Sequence, residues 1–148
     1  MTDTDKVWPG GVPEVGRKAE LTRKVSKLDI ELFTAISGDH NPLHYDEEQA
    51  RETKFGGIIV QGGVTSAILN AVVAEKLPGP GTVFLHVDWH FKAPVRPGDT
   101  ITGTVEVIEV RTDKPLTKLK TTVTNHEGTV VLDGEILCYT MPLPGPAS

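Results

Sequence analysis

The segment from Ser37 to His44 holds the densest group of chemically useful side chains in this sequence. Asp39 and His44 are five residues apart, a spacing that does not place them side by side on a helix. Pro42 disfavours helical backbone at Asn41, so a bent loop can bring the two side chains together. A converging carboxylate and imidazole can activate a water molecule or exchange a proton at a carbon, and Asn41 could orient one of them. On residue types alone, an ordinary turn remains the simpler interpretation.

A second candidate group is Gln61-Gly62-Gly63, directly before an apolar segment with helical character. The first N–H groups of a helix have no partner within it and favour negative charge. Glycine also lets a ligand approach the backbone closely. The group would therefore suit an oxyanion site for a polarised carbonyl, and close packing of the helix on a sheet is the alternative explanation.

Two further patterns are weaker. His86, Asp88 and His90 share one face of a predicted strand, but alternate strand residues stand about 6.5 Å apart, too far for all three to bind one ion easily. We expect no metal site there. Cys138 falls on the apolar face of the last predicted strand, so it is expected to be a buried hydrophobic residue rather than a nucleophile.

Length and composition indicate one folded domain. The chain has 148 residues, of which 38% are hydrophobic, and its single cysteine excludes an internal disulfide or a multi-cysteine zinc site. With 15 Lys and Arg against 20 Asp and Glu, the net charge is −5, so the composition lacks the excess of basic residues that is typical of proteins that bind nucleic acid or an anionic membrane. The N-terminus lacks the pattern of a secretory signal, and the apolar stretch 64–74 is too short to cross a bilayer. We therefore expect a cytoplasmic protein.

The hydrophobic patterning predicts an α+β domain over residues 17–141, between an irregular lead-in at 1–16 and a loose tail at 142–148. The predicted strands are 17–25, 83–91, 100–111, 116–125 and 129–140, and the predicted helices are 27–36, a short one from a cap at Asp46 through Ala50, and 64–77. Four strands in a row favour an antiparallel sheet.

Side-chain periodicity also predicts which faces are buried. Helix 27–36 should bury one apolar face, made of Leu28, Leu32, Phe33 and Ile36. Helix 64–77 is apolar nearly all round, so a curved sheet should enclose it. Strand 83–91 should present one common face, made of Val83, Leu85, Val87, Trp89 and Phe91.

The stretch Phe33–His44, followed by Ala50, resembles the hydratase motif of the MaoC-like (R)-specific enoyl-CoA hydratases. Phe91–Asp99 resembles a strand and corner of the same family, although hot-dog thioesterases share it. The similarity runs from about Ser26 to the last strand. It implies a hot-dog fold, in which a curved antiparallel sheet wraps a long central helix, and usually a dimer.

The resemblance also implies an activity and a set of site residues. The reaction would be reversible addition of water to a trans-2-enoyl-CoA, giving an (R)-3-hydroxyacyl-CoA. The family's catalytic pair maps onto Asp39 and His44, and its oxyanion donor maps onto Gly62. Relatives often carry His-Gly where this chain has Gln61-Gly62, and Gly63 replaces a bulkier residue. Asn41, Gln61 and Gly63 are accordingly expected to bind substrate or to support the site.

The same resemblance implies the ligands and assembly. No metal or redox cofactor is expected, and CoA is part of the substrate. Its phosphates need basic partners, for which Arg51, Lys54 and Lys92 are candidates. A homodimer or a dimer of dimers is expected. The alternatives are a hot-dog acyl-CoA thioesterase and a non-catalytic acyl-CoA-binding subunit.

Overall fold

The computed structural model describes residues 2–144 of the chain. Its helices are α1 (Asp3–Val7), α2 (Lys27–Ser37), α3 (Pro42–Tyr45), α4 (Glu47–Arg51) and α5 (Gly62–Glu75). Its strands are β1 (Lys18–Lys24), β2 (Thr82–Phe91), β3 (Thr100–Val110), β4 (Leu116–Asn125) and β5 (Val130–Thr140). Within this part of the chain, no helix combines the length and apolar character needed to span a membrane.

The five strands form one antiparallel sheet in the order β1-β3-β4-β5-β2. Register shifts interrupt three of its pairings, those of β2 with β5, β3 with β4 and β4 with β5. Such bulges bend a strand and increase its twist. Helix α5 packs against β1, β2, β3 and β4. The expected α+β layout, a central helix wrapped by a curved antiparallel sheet, is confirmed.

Helix α5 supplies the centre of the hydrophobic core. Its buried apolar side chains are Val64, Ile68, Leu69, Val72 and Val73. Gly103 of β3 makes room for the helix, because a Cβ at that position would lie 2.7 Å from the Ile68 side chain. One side of α5 is nevertheless exposed, and we call it the open side; it consists of Ala67, Asn70 and Ala74.

The predicted buried face of α2 is wrong. Leu28, Leu32 and Ile36 are exposed, Ile36 to 82%, whereas Ile30 is buried and Phe33 packs against the core. Two apolar stripes run along this helix, and periodicity alone cannot say which one faces inward. The stripe that contains Ile30 and Phe33 reaches the N-terminus of α5, and this stripe packs against the core.

Helix α2 begins as expected, at a cap formed by Ser26 and Asp29. The Asp29 carboxylate accepts hydrogen bonds from the Ser26 backbone N–H at 2.8 Å and from the Arg23 guanidinium at 2.6 Å. Burial on its own would raise the pKa of Asp29, but these hydrogen bonds and the Arg23 charge bring the pKa below its usual value. The start of α2 is therefore held by a charged side chain.

The predicted common face of β2 is also wrong. A register shift lies between Phe84 and His86, so the strict alternation of faces is broken there. Phe84 and Trp89 both pack against the core, and their rings make an edge-on contact with centroids 6.1 Å apart. Val83, Leu85 and Val87 are exposed instead.

The lead-in predicted as irregular contains helix α1. Trp8 follows this helix and is buried, and its indole N–H donates to the Arg111 carbonyl at 2.7 Å. The predicted loose tail has no helix or strand over residues 142–144, and its remainder, 145–148, lies outside the described residues. The hydrogen bond between Trp8 and Arg111 joins segments about a hundred residues apart, and local sequence patterns cannot predict such a contact.

Candidate active site

A sharp turn after α2 places Asp39. Gly38 ends the helix in the left-handed conformation, with φ at 77°, which glycine adopts without steric cost. Asp39 Oδ1 then accepts a hydrogen bond from the Asn41 backbone N–H at 3.1 Å. The Asn41 side chain accepts from Leu43 N–H and caps α3, whose first residue is Pro42. The polar residues of the loop thus fix both the carboxylate and the start of the next helix.

Helix α3 carries His44 and buries its ring, which is only 8% exposed. The ring Nδ1 lies 2.7 Å from the Ile59 carbonyl oxygen. A carbonyl only accepts, so Nδ1 carries a proton and donates it. The other nitrogen, Nε2, faces Asp39 Oδ2 at 3.7 Å. The structure therefore brings the predicted pair together.

The gap between Asp39 and His44 suits a water molecule. With Nδ1 protonated, Nε2 of the neutral ring is an acceptor, and an ionised carboxylate also accepts. A separation of 3.7 Å is too long for a direct hydrogen bond. A water placed between the two acceptors can donate one O–H to each, which leaves its oxygen lone pairs free to attack a carbon. The Asp39 side chain is 38% exposed, so the pair is open on that side.

Gly62 is the first residue of α5, and Gln61 is its cap. Within residues 2–144, no hydrogen bond engages the Gly62 N–H, as expected for the first position of a helix. Gly62 lies in a cleft of about 370 Å³, here called the Gly62 cleft, which is lined by Lys54, Phe55, Ile59, Val60, Gly62, Thr65, Phe91, Lys92, Ala93, Pro94 and Val95.

Asp39 and His44 do not line the Gly62 cleft. His44 borders a smaller cavity of about 140 Å³, together with Tyr45 and Ile58. The two parts are joined by Ile59, whose carbonyl holds the His44 ring and which itself lines the Gly62 cleft. His44 and Gly62 therefore both adjoin one short segment, residues 58–61.

Gly63 adds no space to the Gly62 cleft, since it does not line it. A Cβ at this position would lie 2.0 Å from the Phe33 ring, so the ring of α2 occupies the space that a side chain would fill. A Cβ at Gly62 would meet only the Phe91 ring, at 3.0 Å. Gly63 therefore has a packing role between α2 and α5, and its expected role in substrate binding or in supporting the site stays a prediction.

Gly63→Ala should destabilise the fold, because the new methyl would force Phe33 and α2 away from α5. Overpacking of this kind costs about 1–3 kcal/mol. The free energy of unfolding from urea titration measures the effect. Gly10→Ala is the matched control, since no atom lies within 4 Å of a Cβ there. Equal stability of the two variants would contradict the packing role.

Gln61 is 2% exposed, and its side chain binds α2. Its Nε2 donates to the Ile30 carbonyl at 3.1 Å and to Thr34 Oγ1 at 3.2 Å. Neither partner belongs to the Gly62 cleft. The sequence analysis therefore predicted neither hydrogen-bond partner of Gln61, and it did not single out Thr34 as a residue of the site.

Comparison with known proteins gives the family. The family model described as "MaoC like domain" matches residues 10–130. The chain belongs to the MaoC-like dehydratase family. An (R)-specific enoyl-CoA hydratase of Rhodospirillum rubrum is 40% identical over 120 residues, which cover 81% of this chain and 83% of that protein. A 3-hydroxybutyryl-CoA dehydratase of Methylorubrum extorquens is 40% identical over 124 residues, covering 84% and 78%.

A solved structure has the same fold as this MaoC-like chain. The (R)-hydratase from A. caviae involved in PHA biosynthesis superimposes with a TM-score of 0.83 at 35% identity, covering 87% of this chain and 98% of that one. The hot-dog architecture expected from the Phe33–His44 stretch is therefore confirmed by a second line of evidence.

Two of the three predicted basic residues lie at the Gly62 cleft of the MaoC-like domain. Lys54 Nζ sits 5.4 Å above the Phe55 ring, and Lys92 pairs with Asp133 at 3.0 Å. Arg51 does not line the cleft and lies 3.7 Å from Glu47, on the surface of α4. Lys54 and Lys92 are thus the charged residues that line the cleft, and the charge of Lys92 is paired with Asp133.

The other candidate groups of this MaoC-like chain form no second site. Across residues 2–144, no three His, Cys, Asp or Glu side chains converge as metal ligands. His90 lies 4.0 Å from Asp88 on an exposed part of β2. Burial raises the pKa of the Cys138 thiol to about 12, so it stays protonated near neutral pH and is a poor nucleophile.

Proposed function

We propose that this protein is an (R)-specific enoyl-CoA hydratase, which in reverse acts as a 3-hydroxyacyl-CoA dehydratase. The observation that carries the proposal is the pairing of Asp39 and His44 across a gap of 3.7 Å, one short segment from the unengaged N–H of Gly62. These are the parts that hydration of a conjugated thioester requires: a held water and a donor for the carbonyl oxygen. The names of the relatives in R. rubrum and M. extorquens support it.

The proposed reaction begins at the thioester carbonyl, which accepts a hydrogen bond from the Gly62 N–H. Asp39 and His44 hold a water that attacks the β-carbon, and the electrons of the double bond move toward the carbonyl oxygen. One of the two residues removes the proton of the water, and a proton reaches the α-carbon from the same side. Both groups face the water, so either one can act as the base and the other as the proton donor.

This addition is balanced without any electron carrier. Water contributes its hydroxyl to the β-carbon and a proton to the α-carbon, so nothing is oxidised or reduced overall. We accordingly propose that the protein uses no redox or metal cofactor and that CoA enters only as part of the substrate. We further propose that Lys54 and Lys92, which line the Gly62 cleft, bind the CoA phosphates. A cytoplasmic location is a separate part of the proposal.

We also propose a homodimer, alone or as half of a dimer of dimers. Strand β2 lies at a sheet edge, so among residues 2–144 one row of its backbone groups has no strand partner. Its exposed apolar side chains and the open side of α5 would be covered by a second copy. The members of this surface are Val83, Leu85, Val87, Ala67, Asn70 and Ala74. A mass corresponding to one chain in sedimentation equilibrium would contradict the dimer.

Hydration of a series of trans-2-enoyl-CoA lengths, with chiral analysis of the product, tests the activity. We expect loss of the conjugated enoyl absorbance and an (R)-3-hydroxyacyl-CoA product. A thiol reagent in parallel reports free CoA, whose release without hydration would indicate a thioesterase. Tight acyl-CoA binding without turnover at any length would indicate a non-catalytic subunit.

A further inference from the structure

Thr34 lies at a junction of hydrogen bonds between the two halves of the site. Its Oγ1 is 2.8 Å from the Asp39 carbonyl oxygen and 3.2 Å from Gln61 Nε2, and it is in close contact with the Tyr45 hydroxyl. A hydroxyl has one proton to donate and can accept twice. Thr34 Oγ1 also lies 3.0 Å from the Ile30 carbonyl oxygen, so its one proton is shared between the carbonyls of Ile30 and Asp39, of which Asp39 is the nearer, while Gln61 and Tyr45 donate to Thr34.

This arrangement connects the Asp39 loop directly to the start of α5. Gln61 immediately precedes Gly62, the proposed carbonyl donor, and its Nε2 also holds the Ile30 carbonyl of α2 at 3.1 Å. Asp39 is attached to the same helix, because Thr34 fixes its carbonyl. A short chain of hydrogen bonds therefore joins the side chain of Gln61, the residue before the donor, through Thr34 to the backbone carbonyl of Asp39. His44 is tied to the adjoining segment through the Ile59 carbonyl.

The buried Gln61 amide is only half satisfied, because its nitrogen is hydrogen-bonded and its oxygen, within the described residues, is not. Its Oε1 is fully buried and has no hydrogen-bond partner within residues 2–144. A buried acceptor left unpaired destabilises a fold, and a half-satisfied polar group is worse than an apolar side chain of the same shape. Sites that break this rule are commonly functional ones.

We propose that Thr34 and Gln61 are positioning residues, which set the separation between the Gly62 N–H and the Asp39–His44 pair. They touch neither reacting atom in the mechanism above; they act through the backbone of Asp39 and the cap of α5. The inference rests on the proposed hydratase function. Misplacement of reacting groups by small distances lowers turnover more than it lowers substrate binding.

Thr34→Val and Thr34→Ser separate the hydroxyl from the shape of the side chain. We expect Thr34→Val to lower kcat about tenfold or more with a KM change below about threefold. Thr34→Ser restores the hydroxyl and should recover most of that loss, which a purely space-filling role would not produce. Thr22→Val is the matched control, because it removes a similar hydroxyl bond, to Thr102 Oγ1 at 2.8 Å, from the β1–β3 pair.

Gln61→Met provides an independent measurement, since it removes both hydrogen bonds and the unpaired oxygen at nearly constant volume. We expect its thermal midpoint to equal or exceed that of the wild type while kcat falls about tenfold. Full kcat in both Thr34→Val and Gln61→Met would overturn the positioning role, as would equal loss in Thr34→Val and Thr34→Ser. Failure of the proposed function is a different result, in which the wild type itself does not hydrate enoyl-CoA.

Discussion

Asp39→Asn should lower kcat for enoyl-CoA hydration by about two to four orders of magnitude, the usual contribution of a general acid–base group. An asparagine can keep the acceptor that binds the Asn41 N–H, so the loop retains its shape. It loses the negative charge, and its amide would present N–H donors toward the gap. Both partners of the water in the wild type are acceptors, so the water can no longer be held in the same orientation.

His44→Gln should have an effect of similar size, because it removes Nε2, while the new amide can still donate toward the Ile59 carbonyl. The two residues act on one water, so the double variant should lose little more than either single variant. Initial rates at saturating substrate, with circular dichroism to verify folding, measure these effects. His126→Gln is the matched control, since the exposed His126 lines neither the Gly62 cleft nor the cavity beside His44. Full activity in both single variants would refute the assignment of this pair.

The Asp39–His44 pair was predictable because its geometry is local. Gly38, Asn41 and Pro42 each impose a known backbone conformation, and together they fold eight residues into a loop followed by a single helical turn. The strands were predictable for a similar reason, since apolar alternation reports directly on a half-buried sheet. Such features need no information from distant parts of the chain.

The errors in α2 and β2 both arise where a distant segment decides between local alternatives. The rotation of α2 is set by Phe33 packing over Gly63, thirty positions along the chain. The faces of β2 depend on a one-residue shift against β5. In both cases the sequence supplies two acceptable apolar faces, and only tertiary packing selects one.

Gln61 shows the same limit at the level of the site. Its place before Gly62 was evident from the sequence, but its partners, Ile30 and Thr34, belong to a helix about thirty residues earlier. A glutamine beside a helix start suggests a polar group for a ligand as readily as an internal anchor. The unpaired Oε1 is visible only once its surroundings are known.

Gly62→Pro should lower kcat by about two to three orders of magnitude, which is the usual cost of losing one oxyanion donor. Gly62 is the first residue of α5, the helical position at which proline is best tolerated, since its missing N–H has no partner within the helix. Proline also requires extended backbone before it, and Gln61 already has φ −62° and ψ 147°. The substitution thus removes the donor where the backbone can accept it.

Gly62→Ala is the matched control, because it adds a similar Cβ, 3.0 Å from the Phe91 ring, and keeps the N–H. The Phe91 ring is exposed and can shift, so alanine should cost far less activity than proline. Steady-state kinetics on both variants, with circular dichroism to verify helix content, separates loss of the donor from crowding of the cleft. Equal rates in the two variants would mean that the carbonyl is polarised elsewhere. A loss of activity in Gly62→Pro but not in Gly62→Ala would assign the polarisation of the carbonyl to the Gly62 backbone N–H. Comparing side chains between sequences cannot identify such a group.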